Sequence, residues 1–288
     1  MPIEIINLSH SYKEGTPFEH KVLHDIDLNI TDGEFVGLIG PTRSGKSTLA
    51  QHLNALYIPH RGKVFIDGLD TSNPKADLIR LRHKVGYVFQ NPDYQLFAPT
   101  VAEDIAFGPT IQRLTENEIK ERVLESMNQV GLDYGTFCKR DIFALSGGQK
   151  RRTAIAGVLA CKPQILVLDD ITAGLDPGGR EDILGVISSL HKTEHITIIF
   201  ISNSMDEIAD LAERIIVMNE GRIIMDGPAR QIFSRTDELN KIGLELPEIT
   251  RIMDRLQLAG YRLPKGVLNI HDAIAYISTA IREQGADD

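Results

Sequence analysis

No run of about 18 apolar residues occurs anywhere in the chain, so none of it is long enough to cross a bilayer as a helix, and any role at a membrane has to pass through a partner. Positive charge is not in excess either. Thirty-one Lys and Arg stand against 40 Asp and Glu, a formal charge of -9, which counts against a nucleic-acid binder because phosphate contacts need clustered cations. Only two cysteines occur, Cys138 and Cys161, in neither metal-ligand nor disulfide spacing, the usage expected of reduced thiols in a cytosolic protein. The start, MPIEIINLSH, has no basic region followed by an apolar one, so no secretory leader is expected. Internal repeats and low-complexity segments are absent as well. What remains is an ordinary globular composition, 42% apolar and 25% charged over 288 residues, enough for one large or two modest domains.

Short apolar runs alternate with helical stretches, the pattern of strands joined by crossover helices in a mostly parallel α/β sheet. The runs at 36–39, 85–89, 165–168 and 196–201 are expected to be its strands. Runs at 3–8, 22–30 and 63–67 alternate more and suggest an antiparallel β subdomain at the amino end. From 91 to about 160 the strand signals stop, and amphipathic patterns such as ENEIKERVLESMNQVG predict a helical subdomain. RIIVMNEGRIIMDG reads as a hairpin turning at 219–221, and PARQIF as a short helix after it. Beyond 237, LPEITRIMDRLQLAG and NIHDAIAYISTAIRE read as two helices separated by YRLPKG. The expected division is therefore a first domain over 1–237 and a small helical accessory domain over 238–288.

Chemistry enters at Gly40-Pro41-Thr42-Arg43-Ser44-Gly45-Lys46-Ser47-Thr48, which fits G-x-x-x-x-G-K-[ST] between the strand FVGLIG and the helical run TLAQHLNAL. Loop amides and a helix amino end can cradle phosphates there, with Lys46 neutralising the outer ones and the Ser47 hydroxyl ligating magnesium. Arg43 is out of place. If the loop needs positive φ at that position, a side chain costs about 1–2 kcal/mol relative to Gly, which predicts weakened or reshaped phosphate binding.

Further motifs make the resemblance specific. Leu145-Ser146-Gly147-Gly148-Gln149 followed by KRRTAIAGVLA resembles the signature of ABC-type ATPases, in which a helix amino end and two glycines serve a nucleotide held by a partner protomer. Gln90 in GYVFQNP is similar to the glutamine that senses magnesium and the attacking water. Ala173-Gly174-Leu175-Asp176 is similar to the segment crossing the dimer seam, and Tyr12 stands where the family stacks an aromatic ring on adenine; simple packing is its other reading. The resemblance spans residues 1 to about 230 and implies a phosphate-loop ABC-type ATPase core using ATP and Mg2+, with Ser47, Gln90 and Asp169 at the metal. GTPFE, NPDYQLFAPTVAEDIAFGP, the signature stretch and the extra helices look like the ATPase subunits of energy-coupling factor transporters, which take up vitamins or cobalt and nickel ions. That resemblance implies a second ATPase subunit, identical or paralogous, and a membrane coupling protein met by Pro92, Asp93 and Gln95 at the cytoplasmic face. Tyr94, Leu96 and Phe97 read either as core or as part of that docking groove.

Two departures concern catalysis. Where the family's strand ends Asp-Glu-Pro, this chain has Asp169-Asp170-Ile171, so the carboxylate expected to act as base reaches about one bond less far. Where the family has His before Ser-Met-Asp-Glu, this chain has Asn203, which donates a neutral hydrogen bond and carries no charge. Arg43, Asp170 and Asn203 all belong to the half-site for this subunit's own nucleotide, while Ser146 to Gln149 are intact. Three accounts follow: a degenerate site in a chain that completes a competent site on a paralogous partner, a homodimer with Asp170 as a slower base, and altered residues in the chain. A binding-only regulatory subunit is the alternative function.

Overall fold

A computed structural model describes residues 3–284; residues 1–2 and 285–288, the outer ends of the two expected domains, lie outside it. The strands are β1 (Ile3–Tyr12), β2 (His20–Ile30), β3 (Phe35–Ile39), β4 (Arg61–Ile66), β5 (Leu69–Asp70), β6 (Val85–Val88), β7 (Ile165–Asp169), β8 (Thr197–Ile201), β9 (Arg214–Asn219) and β10 (Arg222–Pro228). They form two sheets. The larger has the order β10-β9-β3-β8-β7-β6, and the smaller β2-β1-β4-β5.

Every residue of β3, β6, β7 and β8 is buried, which is why these segments read as unbroken apolar runs: both faces of a parallel sheet are covered. Alternate side chains feed two cores. Phe35, Ile39, Leu166, Leu168, Ile198 and Phe200 pack on one face with the helices. Val36, Leu38, Val167, Ile199 and Ile201 pack on the other with Leu49, Leu53 and the smaller sheet's Ile3, Ile5 and Leu8. The smaller sheet is antiparallel, and β1 shows the mixed burial of a strand with one wetter face. The hairpin from β9 to β10 turns through Glu220 (φ 46°) and Gly221 (φ 74°), the two positive-φ residues of a two-residue connection.

Between β6 and β7 the described chain forms no strand beyond one isolated bridge. Helices run over Val101–Ile111, Glu116–Gln129, Tyr134–Phe137 and Gly147–Leu159. A capping box of Thr115 and Glu118 starts the second of these. After β10 come helices Ala229–Phe233, Thr236–Lys241, Glu248–Leu258 and Ile270–Gln284, the last two sharing an apolar cluster of Met253, Val267 and Ala273. Sequence boundaries differ from these by one to four residues, chiefly at β1 and β2, whose ends gain hydrogen-bonded residues that their own hydropathy does not mark.

Parallel pairing is what builds the site. Val88 pairs with Leu168, Asp169 with Ile201 and Leu38 with Ile201, so the carboxyl ends of β6, β7, β8 and β3 lie side by side. The loops leaving them carry Gln90, Asp170, Asn203 and the phosphate loop, the place where open α/β sheets bind ligands.

Candidate nucleotide site

The phosphate loop joins β3 to the helix Lys46–Leu53. Gly45 is left-handed (φ 101°), and a Cβ on Gly40 would collide with the Met218 carbonyl oxygen, so both positions demand glycine. Arg43 is also left-handed (φ 67°), meeting the condition under which its side chain costs the loop about 1–2 kcal/mol. The Lys46 ammonium lies inside the loop, donating to the carbonyls of Gly40 (2.6 Å) and Pro41 (3.0 Å). Burial lowers its pKa against the opposing pull of Asp169 and Asp170. Ser44 Oγ is buried in the loop with no hydrogen-bond partner, a polar atom suited to an anion's oxygen.

Beside the loop, a cleft of about 440 Å3 is lined by Tyr12, His20, Val22 and residues 43–48. The Tyr12 hydroxyl is 2.9 Å from Thr48 Oγ1, fixing its ring at the cleft wall. Two buried imidazoles back it: His10 stacks edge-on to Tyr12 (4.8 Å), and its Nδ1 is 3.2 Å from His52 Nε2 on the phosphate-loop helix. Burial pulls His52 down to about 4 and lowers His10 as well, disfavouring a charge on either ring.

Ser47 Oγ donates to Asp169 Oδ1 at 3.2 Å, and the buried Tyr87 hydroxyl donates to Asp169 Oδ2 at 2.8 Å. Burial lifts the Asp169 carboxyl above the ordinary carboxylate range, against the pull of Tyr87, Ser47 and Lys46. Ser47 and Asp169 present two hard oxygens, the set wanted by a magnesium ion that takes the rest of its shell from phosphates and water. Among the described residues no cluster of three or more His, Cys, Asp or Glu is placed to hold a metal ion.

Asp170 follows in a left-handed conformation (φ 49°), a strained backbone of the kind that collects at functional sites. Its Oδ2 accepts from Gln90 Nε2 and from Asn203 Nδ2, both at 2.9 Å. The two departures from the family pattern therefore meet at one oxygen. Ser146 to Gln149 lie elsewhere, outside the lining of the phosphate-loop cleft. Ser146 caps the helix Gly147–Leu159 by accepting from Gln149 N–H, and Gln149 Oε1 accepts from Ser146 N–H. Neither Gly147 nor Gly148 is crowded: a Cβ at 147 meets nothing within 4 Å.

Four participants carried no signal of their own in the sequence. Tyr87 reads as a strand residue, and its hydroxyl finds Asp169 only once β6 pairs with β7. Arg151 is 5% exposed and donates to the carbonyls of Phe89, Gln90 and Ala173, tying the signature helix to two loops of the site. Glu207 is buried and accepts from Thr172 and Ser202, bracing the two loops that carry Asp170 and Asn203. Lys150 pairs with Asp93 at 2.7 Å. Of the three residues with two readings, Leu96 is core at 6% exposure, while Tyr94 (82%) and Phe97 (58%) are exposed.

Residues 23–173 match the family model described as ABC transporter. The energy-coupling factor transporter ATP-binding protein EcfA2 of Clostridium tetani is 48% identical over 273 residues, covering 95% of each chain. EcfA1 of Caldanaerobacter subterraneus is 42% identical over 272 residues, covering 94% of this chain and 96% of its own. Among solved structures, cbiO1 from Clostridium perfringens, described as part of the ABC transporter complex cbiONQ, superposes with a TM-score of 0.72 at 35% identity, covering 88% of this chain and 98% of its own. A phosphate loop, an acidic strand end and a capped signature helix on one parallel sheet thus come with sequence likeness along almost the whole chain, and this protein belongs to the ABC transporter ATPase family, in its energy-coupling factor branch.

Proposed function

We propose that this chain is the ATP-driven subunit of an energy-coupling factor importer for a vitamin or a transition-metal ion, acting at the cytoplasmic face of the membrane. The observation that carries the reading is the meeting of Lys46, Ser47, Asp169, Asp170, Gln90 and Asn203 at the carboxyl ends of four neighbouring strands. The loop amides, Lys46 and Ser44 hold the phosphates of ATP, Tyr12 stacks on its base, and Ser47 with Asp169 holds magnesium. Magnesium would supply charge neutralisation on the phosphates. Asp170, aided by Gln90 and Asn203, orients and polarises water, and phosphoryl transfer depends almost wholly on such positioning.

The second ATPase subunit is expected against the signature. The open space before Gly147 leaves the amino end of its helix free to receive a phosphate carried by another chain. The membrane partner is expected at the turn Pro92–Tyr94 beside an apolar groove of about 240 Å3 lined by Leu56, Tyr87, Phe89, Phe97, Phe107 and Val158 among others. That turn is fastened to the signature helix by Lys150–Asp93 and by Gln95 Nε2 donating to the Ala154 carbonyl at 2.8 Å, so motion of the helix carries the turn with it. Residues 238–288 are an accessory domain appended to the ATPase domain.

A second reading, a binding-only subunit whose partner hydrolyses, is favoured by one feature. The Asp170 oxygen that would act as base is already engaged by two neutral amides. The test is ATP binding, ATP-dependent association with the second ATPase subunit, and phosphate release, measured for the chain and for Lys46→Ala. Binding and association lost in Lys46→Ala support the proposal; a chain that neither binds Mg–ATP nor associates in its presence refutes it. Phosphate release distinguishes the two readings.

A further inference from the structure

Asp169 is held from two directions: Oδ1 by Ser47 on the phosphate-loop helix and Oδ2 by Tyr87 on β6. These donors are not equivalent. Ser47 belongs to the phosphate loop itself, and its hydroxyl is the group the motif offers to a metal. Tyr87 stands behind the site, 6% exposed, its ring in the apolar layer with Val85, Val167 and Ile199 and 4.7 Å from the Phe89 ring. In the strand VGYV it is the one residue with a polar side chain, and a Phe would fill the same space without a buried hydroxyl to satisfy. Donation from that hydroxyl to a carboxylate is charge-assisted, short and directional.

We propose that Tyr87 is a positioning residue for the magnesium half of the site, its hydroxyl fixing the Asp169 carboxylate so that Oδ1 faces Ser47 and the phosphates. The inference rests on the reading of the site as one for Mg–ATP. It gives β6 a part in the site besides carrying Gln90: the strand supplies the outer partner that a metal-binding carboxylate requires. Removing such a partner typically costs 10–100-fold in metal affinity. The effect should fall on the metal and spare the nucleotide, because Tyr87 does not line the cleft of Tyr12 and residues 43–48.

The experiment titrates a fluorescent ATP analogue into the full chain, wild type and Tyr87→Phe, in excess EDTA and again at a series of magnesium concentrations. Tyr87→Phe is expected to match wild type in EDTA and to need about 10–100-fold more magnesium for half-maximal enhancement of binding. An unchanged magnesium requirement overturns the proposal, and so does an equal loss with and without the metal, which marks a general packing role. The magnesium-dependent rise in thermal midpoint at fixed nucleotide, read on the same samples, gives the same answer independently of how stable the variant is. Wild type that binds the analogue indifferently to magnesium overturns the Mg–ATP reading itself, and this inference with it.

Discussion

Restoring the two departures together, Asp170→Glu with Asn203→His, tests whether this chain's own site is a weak catalyst by construction. Asp170 Oδ2 takes hydrogen bonds of 2.9 Å from both Gln90 and Asn203, so one oxygen of the carboxylate is positioned by two neutral donors. One added methylene carries it about 1.5 Å forward, and misplacement of about 1 Å is worth on the order of 100-fold in rate. A histidine at 203 returns a donor that can carry charge toward the transferring phosphate, and one such donor is worth roughly 100–1,000-fold. The effects cannot multiply fully, because both residues act on the same oxygen. Phosphate release by the double variant is expected to rise about 1,000-fold over wild type, and either single change by less. The gain should lie in kcat with KM for ATP nearly unchanged, since the phosphate loop and Tyr12 are untouched. Glutamate tolerates the left-handed backbone at 170 (φ 49°) less well than aspartate, so a small loss of stability accompanies the gain. A double variant within about threefold of wild type would refute the reasoning.

Arg43→Gly relieves a side chain held at φ 67°, and after allowing for the greater freedom of Gly in the unfolded chain it should raise stability by about 0.5–1 kcal/mol in denaturant titration. Arg43→Ala keeps the strain and should show no such gain; equal behaviour of the two variants would contradict the account. The buried His52 has its folded pKa lowered to about 4 from 6.5, so the unfolded chain binds the extra proton between those values. Its contribution is complete above pH 6.5 and is lost as pH falls toward 4, the loss reaching about 2 kcal/mol at pH 5. Burial lowers His10 in the same direction. Denaturation midpoints against pH should therefore decline on the acid side of pH 6.5 and flatten in His52→Gln; an unchanged slope would show that the proton goes elsewhere.

Local chemistry made much of the fold legible. An unbroken apolar run such as ILVLD reports a strand covered on both faces, and this strand is fully buried between two cores. The phosphate loop was legible for the same kind of reason: Gly40 and Gly45 are glycines because neighbouring backbone and side chains leave no room for Cβ, and Lys46 and Ser47 follow at fixed offsets. Edges were less legible. β5 has two residues, and the outer parts of β1 and β2 are strand by hydrogen bonding rather than by hydropathy.

What the sequence determined by itself is therefore whatever acts over a few residues: the strands and helices, the phosphate loop, the adjacent carboxylates Asp169 and Asp170, and the signature helix. Tertiary structure decided the rest. Only the order β3-β8-β7-β6 sets Gln90, Asp170 and Asn203 around one carboxylate oxygen, and only the pairing of β6 with β7 brings the Tyr87 hydroxyl to Asp169. Arg151 likewise finds the Phe89, Gln90 and Ala173 carbonyls only after the signature helix packs on the sheet. The reason is range: apolar periodicity and φ preferences are imposed by near neighbours in the chain, whereas a hydrogen bond between residues 33 or 82 positions apart exists only after the core has excluded water and brought the strand ends together.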